Sequence, residues 1–193
     1  MKNGIIKQHL RPVFIFAVGL IIIQTLNSLS LGYVSSWGIL PRQSIGLLGI
    51  PLAPFIHHSW SHLASNLIPI CILMLLVRQL GLAIFWRISI GITLLGGGCV
   101  WILGSSGVHA GASGLIFGYC AFLISYGLLN RTLKNLFIGL LVLVLYSGLL
   151  WSLFSFQPHV SWASHVYGAA AGVVMSWINR NSTKGRTPLR GGG

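Results

Sequence analysis

Ser113 and His165 are the two residues of this sequence whose types and positions suit the cleavage of an acyl bond. Ser113 lies in a stretch of mostly small residues, HAGASGLIFG at 109–118, and opens an apolar segment. His165 lies close to the start of another apolar segment. A serine hydroxyl becomes an effective nucleophile when an adjacent histidine accepts its proton. The sequence therefore presents a candidate nucleophile and a candidate general base, provided that the fold brings the two segments together.

His62 and Asn66 form a second pair of polar residues within an apolar segment. They are four residues apart, so on a helix they share one face, one turn from each other. Polar side chains inside a membrane helix are costly and usually face a partner or a wet cavity. Two interpretations stay open. The pair forms hydrogen bonds between helices, or it donates to an oxyanion together with the backbone N–H of Ser113 at a helix N-terminus.

Aspartate and glutamate are absent from the whole sequence. Their absence excludes carboxylate acid–base pairs, aspartyl proteases and the H-E-x-x-H zinc motif. A Ser113–His165 pair is then a dyad, without a carboxylate to orient the histidine. Cys71, Cys99 and Cys120 lie inside apolar segments without the spacing of a metal site, and we interpret them as reduced core residues. We expect no metal and no cofactor.

The other histidines offer alternatives for these roles. His109 precedes the candidate nucleophile by four residues and rivals His165 as the base. His57, His58 and His159 are interpreted as loop or interface residues. A metal site built from them is not expected, since carboxylate and cysteine partners are missing.

The composition of the chain indicates a membrane protein. Of its 193 residues, 54% are hydrophobic and 6% are charged, whereas soluble domains carry about 25% charged residues. Six apolar stretches have the length, about 20 residues, that a helix needs to cross a hydrocarbon core of about 30 Å. They are Val13–Leu31, His62–Leu80, Phe85–Leu103, Ala112–Leu129, Leu136–Phe154 and Trp162–Ile178. We predict an all-α membrane protein, a bundle of six transmembrane helices.

The positive charges indicate a multi-pass protein with both termini in the cytoplasm. In this orientation only Arg42, among the twelve lysines and arginines, lies outside, which is the bias of the positive-inside rule. We therefore attribute the net charge of +12 to topology and to anionic lipid headgroups, and expect no nucleic-acid partner. The predicted parts are a basic cytoplasmic tail at 1–12, a membrane domain at 13–180 with an outer loop at 33–57, and a disordered basic cytoplasmic tail at 181–193.

This orientation brings the candidate residues to a similar depth in the membrane. The second, fourth and sixth predicted spans begin on the outer side, and His62, Ser113 and His165 lie near those starts. At about 1.5 Å per residue, the depths of these groups agree within about 6 Å. Two spans also carry pairs of glycines four residues apart, which let helix backbones approach closely. These pairs are Gly114 with Gly118 in the fourth span, and Gly168 with Gly172 in the sixth.

Taken together, these residues resemble the rhomboid intramembrane serine proteases, in the basic six-helix form typical of bacteria. The resemblance covers roughly residues 47–178. It depends on His62-x-x-x-Asn66 in the second helix, Gly111-Ala112-Ser113-Gly114 opening the fourth, His165-Val-Tyr-Gly168 in the sixth, and Phe55-Ile-His57 before the second. Each motif alone is weak, but their joint order on these helices is specific.

The resemblance implies a function and assigns roles to the candidate residues. Ser113 would be the nucleophile and His165 the base, with His62, Asn66 and the Ser113 amide forming the oxyanion hole. The substrate would be a transmembrane helix of another protein in the cell (inner) membrane, cut near its outer end. Water would reach the site, which faces the outer side, through a polar cavity among three helices and past a movable fifth helix.

The sequence departs from the family pattern in two places. The family often has an adjacent Trp-Arg pair in the first outer loop, whereas Trp37 and Arg42 are separated here. Phe117 takes the place of a frequent tyrosine four residues after the serine. Its ring could still stack on His165, but it offers no hydroxyl.

Two other functions would suit a multi-pass membrane chain. The alternative within the family is an inactive rhomboid-like protein that binds or escorts membrane helices, and the complete set of site residues argues against it. A histidine-lined channel is disfavoured, because the chain has no inverted repeat and its histidines cluster toward the outer side.

Overall fold

The computed structural model describes residues 2–154 and 161–182, with side chains at 10–153 and 161–182. In this part of the chain the regular elements are helices, and strands are absent. The α-helices are α1 (Lys2–Leu29), α2 (Gly46–Leu52), α3 (Trp60–Arg78), α4 (Leu82–Leu103), α5 (Ser113–Asn130), α6 (Leu133–Leu145), α7 (Ser147–Trp151) and α8 (Trp162–Asn179). Short 3-10 helices occupy Tyr33–Trp37, Ala53–Phe55 and Ser152–Phe154. Most of the predicted disordered tail, residues 183–193, lies outside the described residues.

Four helical segments of the described chain are long and apolar enough to cross a membrane. They are Leu10–Leu29 within α1, and the whole of α3, α4 and α5. The exposed side chains of these segments are largely apolar, among them Phe14, Ile68 and Ile90. A helix whose outer surface is apolar is stable only when that surface faces lipid. The protein is therefore an all-α membrane protein, as the composition predicts.

The fifth predicted span, Leu136–Phe154, is not one continuous helix. α6 ends just before Tyr146, and the chain continues in the five-residue α7 and a 3-10 turn. Tyr146 is buried, and its hydroxyl donates to the carbonyl of Pro69 in α3 at 3.4 Å. Serine and glycine follow at 147 and 148, and both form helices less well than the leucines before them. The prediction of a single helix was wrong here because it followed the apolar run and gave no weight to Ser147 and Gly148.

α5 occupies the centre of the bundle and carries Ser113 at its start. It packs against α3, α4, α6 and α8. Its large side chains Phe117, Tyr119 and Phe122 are fully buried. The Tyr119 hydroxyl lies 2.6 Å from the Ser89 hydroxyl of α4, so this buried polar group is satisfied. A residue at the N-terminal end of α5 therefore lies within the bundle, close to other helices.

α5 and α8 touch backbone to backbone along their glycines. A Cβ atom placed on Gly168 would overlap the carbonyl oxygen of Gly114, and one on Gly172 would overlap the carbonyl oxygen of Gly118. Since no side chain separates the two helices there, their axes come as close as helix backbones allow. This contact agrees with the prediction made from the glycine spacing, and it sets the distance between residues at the starts of α5 and α8.

The outer loop between α1 and α3 is a folded segment. Ile39 pairs with His109 through two backbone hydrogen bonds of 2.8 and 2.9 Å. The Arg42 guanidinium donates to the carbonyl of Gly104 at 2.8 Å, just past the C-terminus of α4, where a positive charge is favoured. Trp101 donates its indole N–H to the carbonyl of Gln43 at 2.8 Å. An arginine and a tryptophan from distant parts of the sequence therefore hold this loop, although the adjacent Trp-Arg pair is missing.

Candidate active site

Ser113 is the first residue of α5 and follows a turn that requires glycine. Gly111 has a φ of +127°, which a residue with a side chain rarely adopts. Its N–H donates to the carbonyl of Ala53 at 2.9 Å, which fixes the turn to the outer loop. A Cβ on Gly111 would lie 2.9 Å from the His62 ring and 3.6 Å from the Ser113 hydroxyl oxygen. The Ser113 hydroxyl and the His62 ring therefore border the same small space over Gly111.

His165 lies on the first turn of α8, against the same end of α5. Its ring stacks on Phe117, with 4.1 Å between the ring centroids and 24° between the planes. Phe117 follows Ser113 by four residues, so both lie on one face of α5. The neighbouring Ser164 packs its carbonyl oxygen against Gly114. The fold thus brings Ser113 and His165, which are distant in sequence, to adjacent positions.

The Nε2 atom of His165 is buried and has no hydrogen-bond partner in the part of the chain that the structure describes. A buried imidazole nitrogen without a partner costs free energy unless another group comes to it. In structures without substrate, hydrogen bonds between catalytic groups are often long and tighten only when the substrate binds. Nε2 of His165 is therefore unengaged within the described residues, as a candidate general base requires.

Three N–H groups are the predicted donors to a negatively charged oxygen. Asn66 uses its side-chain amide to donate to the His62 carbonyl at 2.7 Å, and an amide has a second hydrogen to offer. The half-buried ring of His62 faces the space over Gly111. Among the described hydrogen bonds none engages the backbone N–H of Ser113, which belongs to the unpaired first turn of α5.

His57 holds the turn before Ser113 from inside the protein. The side chain is fully buried, and its Nε2 atom accepts a hydrogen bond from the N–H of Ala112 at 3.3 Å. Its carbonyl accepts from the side chain of Asn27 in α1 at 3.1 Å. Our interpretation of His57 as a loop or interface residue missed this contact. The only sequence signal was its place in the Phe55-Ile-His57 motif before the second helix.

Burial, with the nearby His62 as a smaller cause, lowers the pKa of His57 to about 4. The unfolded chain binds a proton to this histidine below its ordinary pKa of about 6.5, whereas the folded protein does not until about pH 4. We therefore expect the free energy of unfolding to fall by up to about 3 kcal/mol between these two pH values. Equilibrium unfolding in mixed micelles across this range measures the fall.

The matched variants for this prediction are His57→Gln and His58→Gln. The first keeps an acceptor near Ala112 but does not titrate, so its stability should depend less on pH than that of the wild type. His58 is exposed, so its replacement should leave the wild-type pH dependence in place. Equal pH dependence in all three proteins would show that His57 is not the group responsible.

Of the other described histidines, His109 bridges two segments and His58 lies at the surface. His109 bonds Ser161 through Nδ1 and the Ser105 carbonyl through Nε2, so neither nitrogen is free to serve as the alternative base. His58 is exposed and stacks on His62 with 6.2 Å between ring centroids. His159 lies outside the described residues. Within those residues, no group of three or more potential metal-binding side chains occurs.

A polar cavity of about 580 Å³ opens beside Ser113. Serines and histidines of α3, of the loop before α5 and of the start of α8 line it, among them Ser65, His62, His109, Ser161 and Ser113. A cavity of this size holds many water molecules, each of which needs polar partners to be stable. The candidate nucleophile therefore faces a water-accessible space although α5 lies in the middle of a membrane bundle.

Comparison with protein families agrees with this arrangement. The sequence model that defines the Rhomboid domain family matches residues 41–182. The match includes the glycine contact of α5 with α8, the polar cavity, and all four residues predicted for the site. The chain is thus a membrane protein of a family that includes intramembrane serine proteases. It belongs to the rhomboid family.

Similar proteins occur in mycobacteria. The chain is 38% identical over 176 residues to uncharacterized proteins of Mycobacterium tuberculosis and Mycobacterium bovis, and the match covers 86% of this chain and 73% of theirs. An uncharacterized protein of Mycobacterium leprae is 33% identical over 175 residues, or 86% of this chain and 69% of its own. These relatives support the family assignment without assigning an activity.

Proposed function

We propose that the protein is an intramembrane serine endopeptidase that cuts transmembrane helices of other proteins near their outer ends. Ser113 is the nucleophile and His165 the general base. The observation that carries the proposal is the stack of His165 on Phe117, one helical turn beyond Ser113. Two further facts support the proposal: Nε2 of His165 is buried without a partner in the described residues, and Ser113 borders a polar cavity.

The proposed reaction follows the chemistry of a serine–histidine dyad. The Ser113 hydroxyl oxygen attacks the carbonyl carbon of the peptide bond as its proton passes to Nε2 of His165. The oxyanion that forms accepts hydrogen bonds from the Ser113 N–H, His62 and Asn66. His165 then gives the proton to the leaving amine, and an acyl-enzyme remains. Water from the cavity hydrolyses this ester with His165 again as base, which restores the Ser113 hydroxyl.

The topology that we propose has six spans, with both termini in the cytoplasm. The four long apolar segments supply α1, α3, α4 and α5. The other two spans are α8 and the broken helix formed by α6 and α7. The bias of lysine and arginine toward one side supports this orientation, which puts Ser113 toward the outer side of the cell (inner) membrane. Membrane lipid and transmembrane helices of other proteins are then the partners.

The proposal is tested with the purified full chain in liposomes that contain a fluorescently labelled transmembrane helix. Cleavage near the outer end of that helix is expected, together with covalent labelling of Ser113 by a fluorophosphonate. An intact substrate and an unlabelled serine would favour instead a rhomboid-like protein that binds membrane helices without cutting them.

The oxyanion role of Asn66 gives a separate prediction. Loss of one oxyanion donor typically lowers kcat by about 10²–10³-fold, so Asn66→Ala should cleave more slowly by this factor with little change in KM. Initial rates at several substrate densities in the liposome measure both constants. The control is Asn181→Ala, an exposed asparagine after α8 that does not line the cavity. Equal cleavage rates for Asn66→Ala and the wild type would show that Asn66 is not an oxyanion donor.

A further inference from the structure

His109 connects the segment that leads into α5 with the segment that leads into α8. Its Nε2 lies 2.8 Å from the carbonyl oxygen of Ser105, and its Nδ1 lies 2.5 Å from the hydroxyl oxygen of Ser161. A carbonyl only accepts, so Nε2 carries the hydrogen, and Nδ1 of the neutral ring accepts from the Ser161 hydroxyl. The side chain is 5% exposed, so it is largely shielded although it borders the cavity.

Ser161 is also the N-cap residue of α8. Its hydroxyl oxygen accepts from the N–H of Ser164 at 3.3 Å and lies 2.6 Å from the Ser164 hydroxyl. Since the hydrogen of Ser161 is used on His109, the Ser164 hydroxyl is the donor in the second contact. A directed chain of hydrogen bonds therefore runs from Ser164 through Ser161 and His109 to Ser105.

This chain of bonds determines where α8 starts relative to α5. His109 precedes Ser113 by four residues, and Ser161 precedes His165 by four residues. The backbone of His109 is fixed in turn by its pairing with Ile39 in the outer loop. A shift of the start of α8 therefore moves His165 relative to Ser113. A misplacement of about 1 Å can lower the rate by about 10²-fold.

We propose that His109 is a positioning residue, which sets the distance between Ser113 and His165 by holding the N-cap of α8 through Ser161. This inference rests on the proposed function. His109 does not act as a base in it, because both ring nitrogens are engaged. Its contribution is to keep the candidate dyad in reacting geometry while a substrate occupies the adjoining cavity.

The test separates positioning from packing through variants that keep or remove one hydrogen bond. His109→Leu keeps much of the volume but removes both bonds, whereas His109→Asn puts an acceptor where Nδ1 lies and so keeps the bond from Ser161. We expect His109→Leu and Ser161→Ala to lower kcat by about 10–100-fold with KM nearly unchanged. His109→Asn and Ser161→Thr should recover most of the loss. Ser36→Ala, an exposed change in the outer loop and away from the cavity lining, is the control and should match the wild type.

A double variant tests whether the two residues act as a unit. His109→Leu combined with Ser161→Ala should be no slower than the slower single variant, because each change breaks the same bond. Multiplying losses would overturn the proposal, as would equal impairment of His109→Leu and His109→Asn. If Ser161→Ala keeps the wild-type kcat while Ser113→Ala is inactive, the positioning role is wrong but the proposed function is not. An inactive wild type would overturn both this proposal and the proposed function.

Discussion

Replacement of Ser113 by alanine is expected to lower the rate of substrate cleavage by about 10⁴-fold or more. The variant lacks the atom that bonds to the peptide carbonyl, so neither the acyl-enzyme nor the fluorophosphonate adduct can form. Folding should be unaffected, because an alanine fits wherever a serine does. Cleavage in liposomes and probe labelling measure the two losses, and the thermal unfolding midpoint checks that the protein is intact.

His165→Ala is expected to be comparably slow, because the hydroxyl then has no base. The two residues act on one step, so the double variant should be about as slow as either single variant. The control is Ser36→Ala, which removes an exposed hydroxyl from the outer loop and should leave both rates unchanged. If the Ser113→Ala and His165→Ala variants both still cleaved the substrate, the proposed dyad would be wrong.

Gly168→Ala is expected to destabilise the protein more than other single methyl additions to its helices. The new Cβ would overlap the carbonyl oxygen of Gly114 in α5, and a helix backbone cannot move aside as a side chain can. α5 and α8 must separate, at a cost of about 3 kcal/mol or more in the free energy of unfolding. Equilibrium unfolding in mixed micelles measures this cost. Cleavage should also fall, since the separation moves His165 away from Ser113.

Gly98→Ala is the matched control for this prediction. Gly98 lies in α4, and a Cβ there would have no neighbour within 4 Å. Because alanine favours a helix over glycine by about 0.5–1 kcal/mol, this variant should be as stable as the wild type or slightly more so. If Gly168→Ala were as stable as Gly98→Ala, the close contact of α5 with α8 would be wrong.

Hydropathy, charge and spacing predicted the features of this fold that are recorded locally in the sequence. α5 begins at Ser113, one residue from the predicted start, and α8 begins at Trp162, as predicted. The glycine spacing indicated which two helices approach most closely. Each of these signals is a regular pattern along one helix, so it is visible in the sequence even when the helix that packs against it is unknown.

Such patterns do not predict contacts between segments that are distant in the sequence. No local signal connects His57 with the Ala112 N–H, or Arg42 with the carbonyl of Gly104. Each contact depends on how the outer loop folds back over the ends of the helices. The break at Tyr146 was missed for a similar reason, since part of its cause lies in α3, where the Pro69 carbonyl receives the tyrosine hydroxyl.

The Phe117 ring also bears on the charge that arises during the proposed reaction. When Ser113 attacks, His165 becomes an imidazolium, and the sequence contains no carboxylate to balance it. The Phe117 ring stacks on the imidazole with 4.1 Å between the centroids and 24° between the planes. The electron-rich face of an aromatic ring attracts a cation by up to about 2 kcal/mol in a desolvated site. In the proposed reaction the transient positive charge on His165 would therefore face π electrons, in the part that an aspartate plays in a catalytic triad.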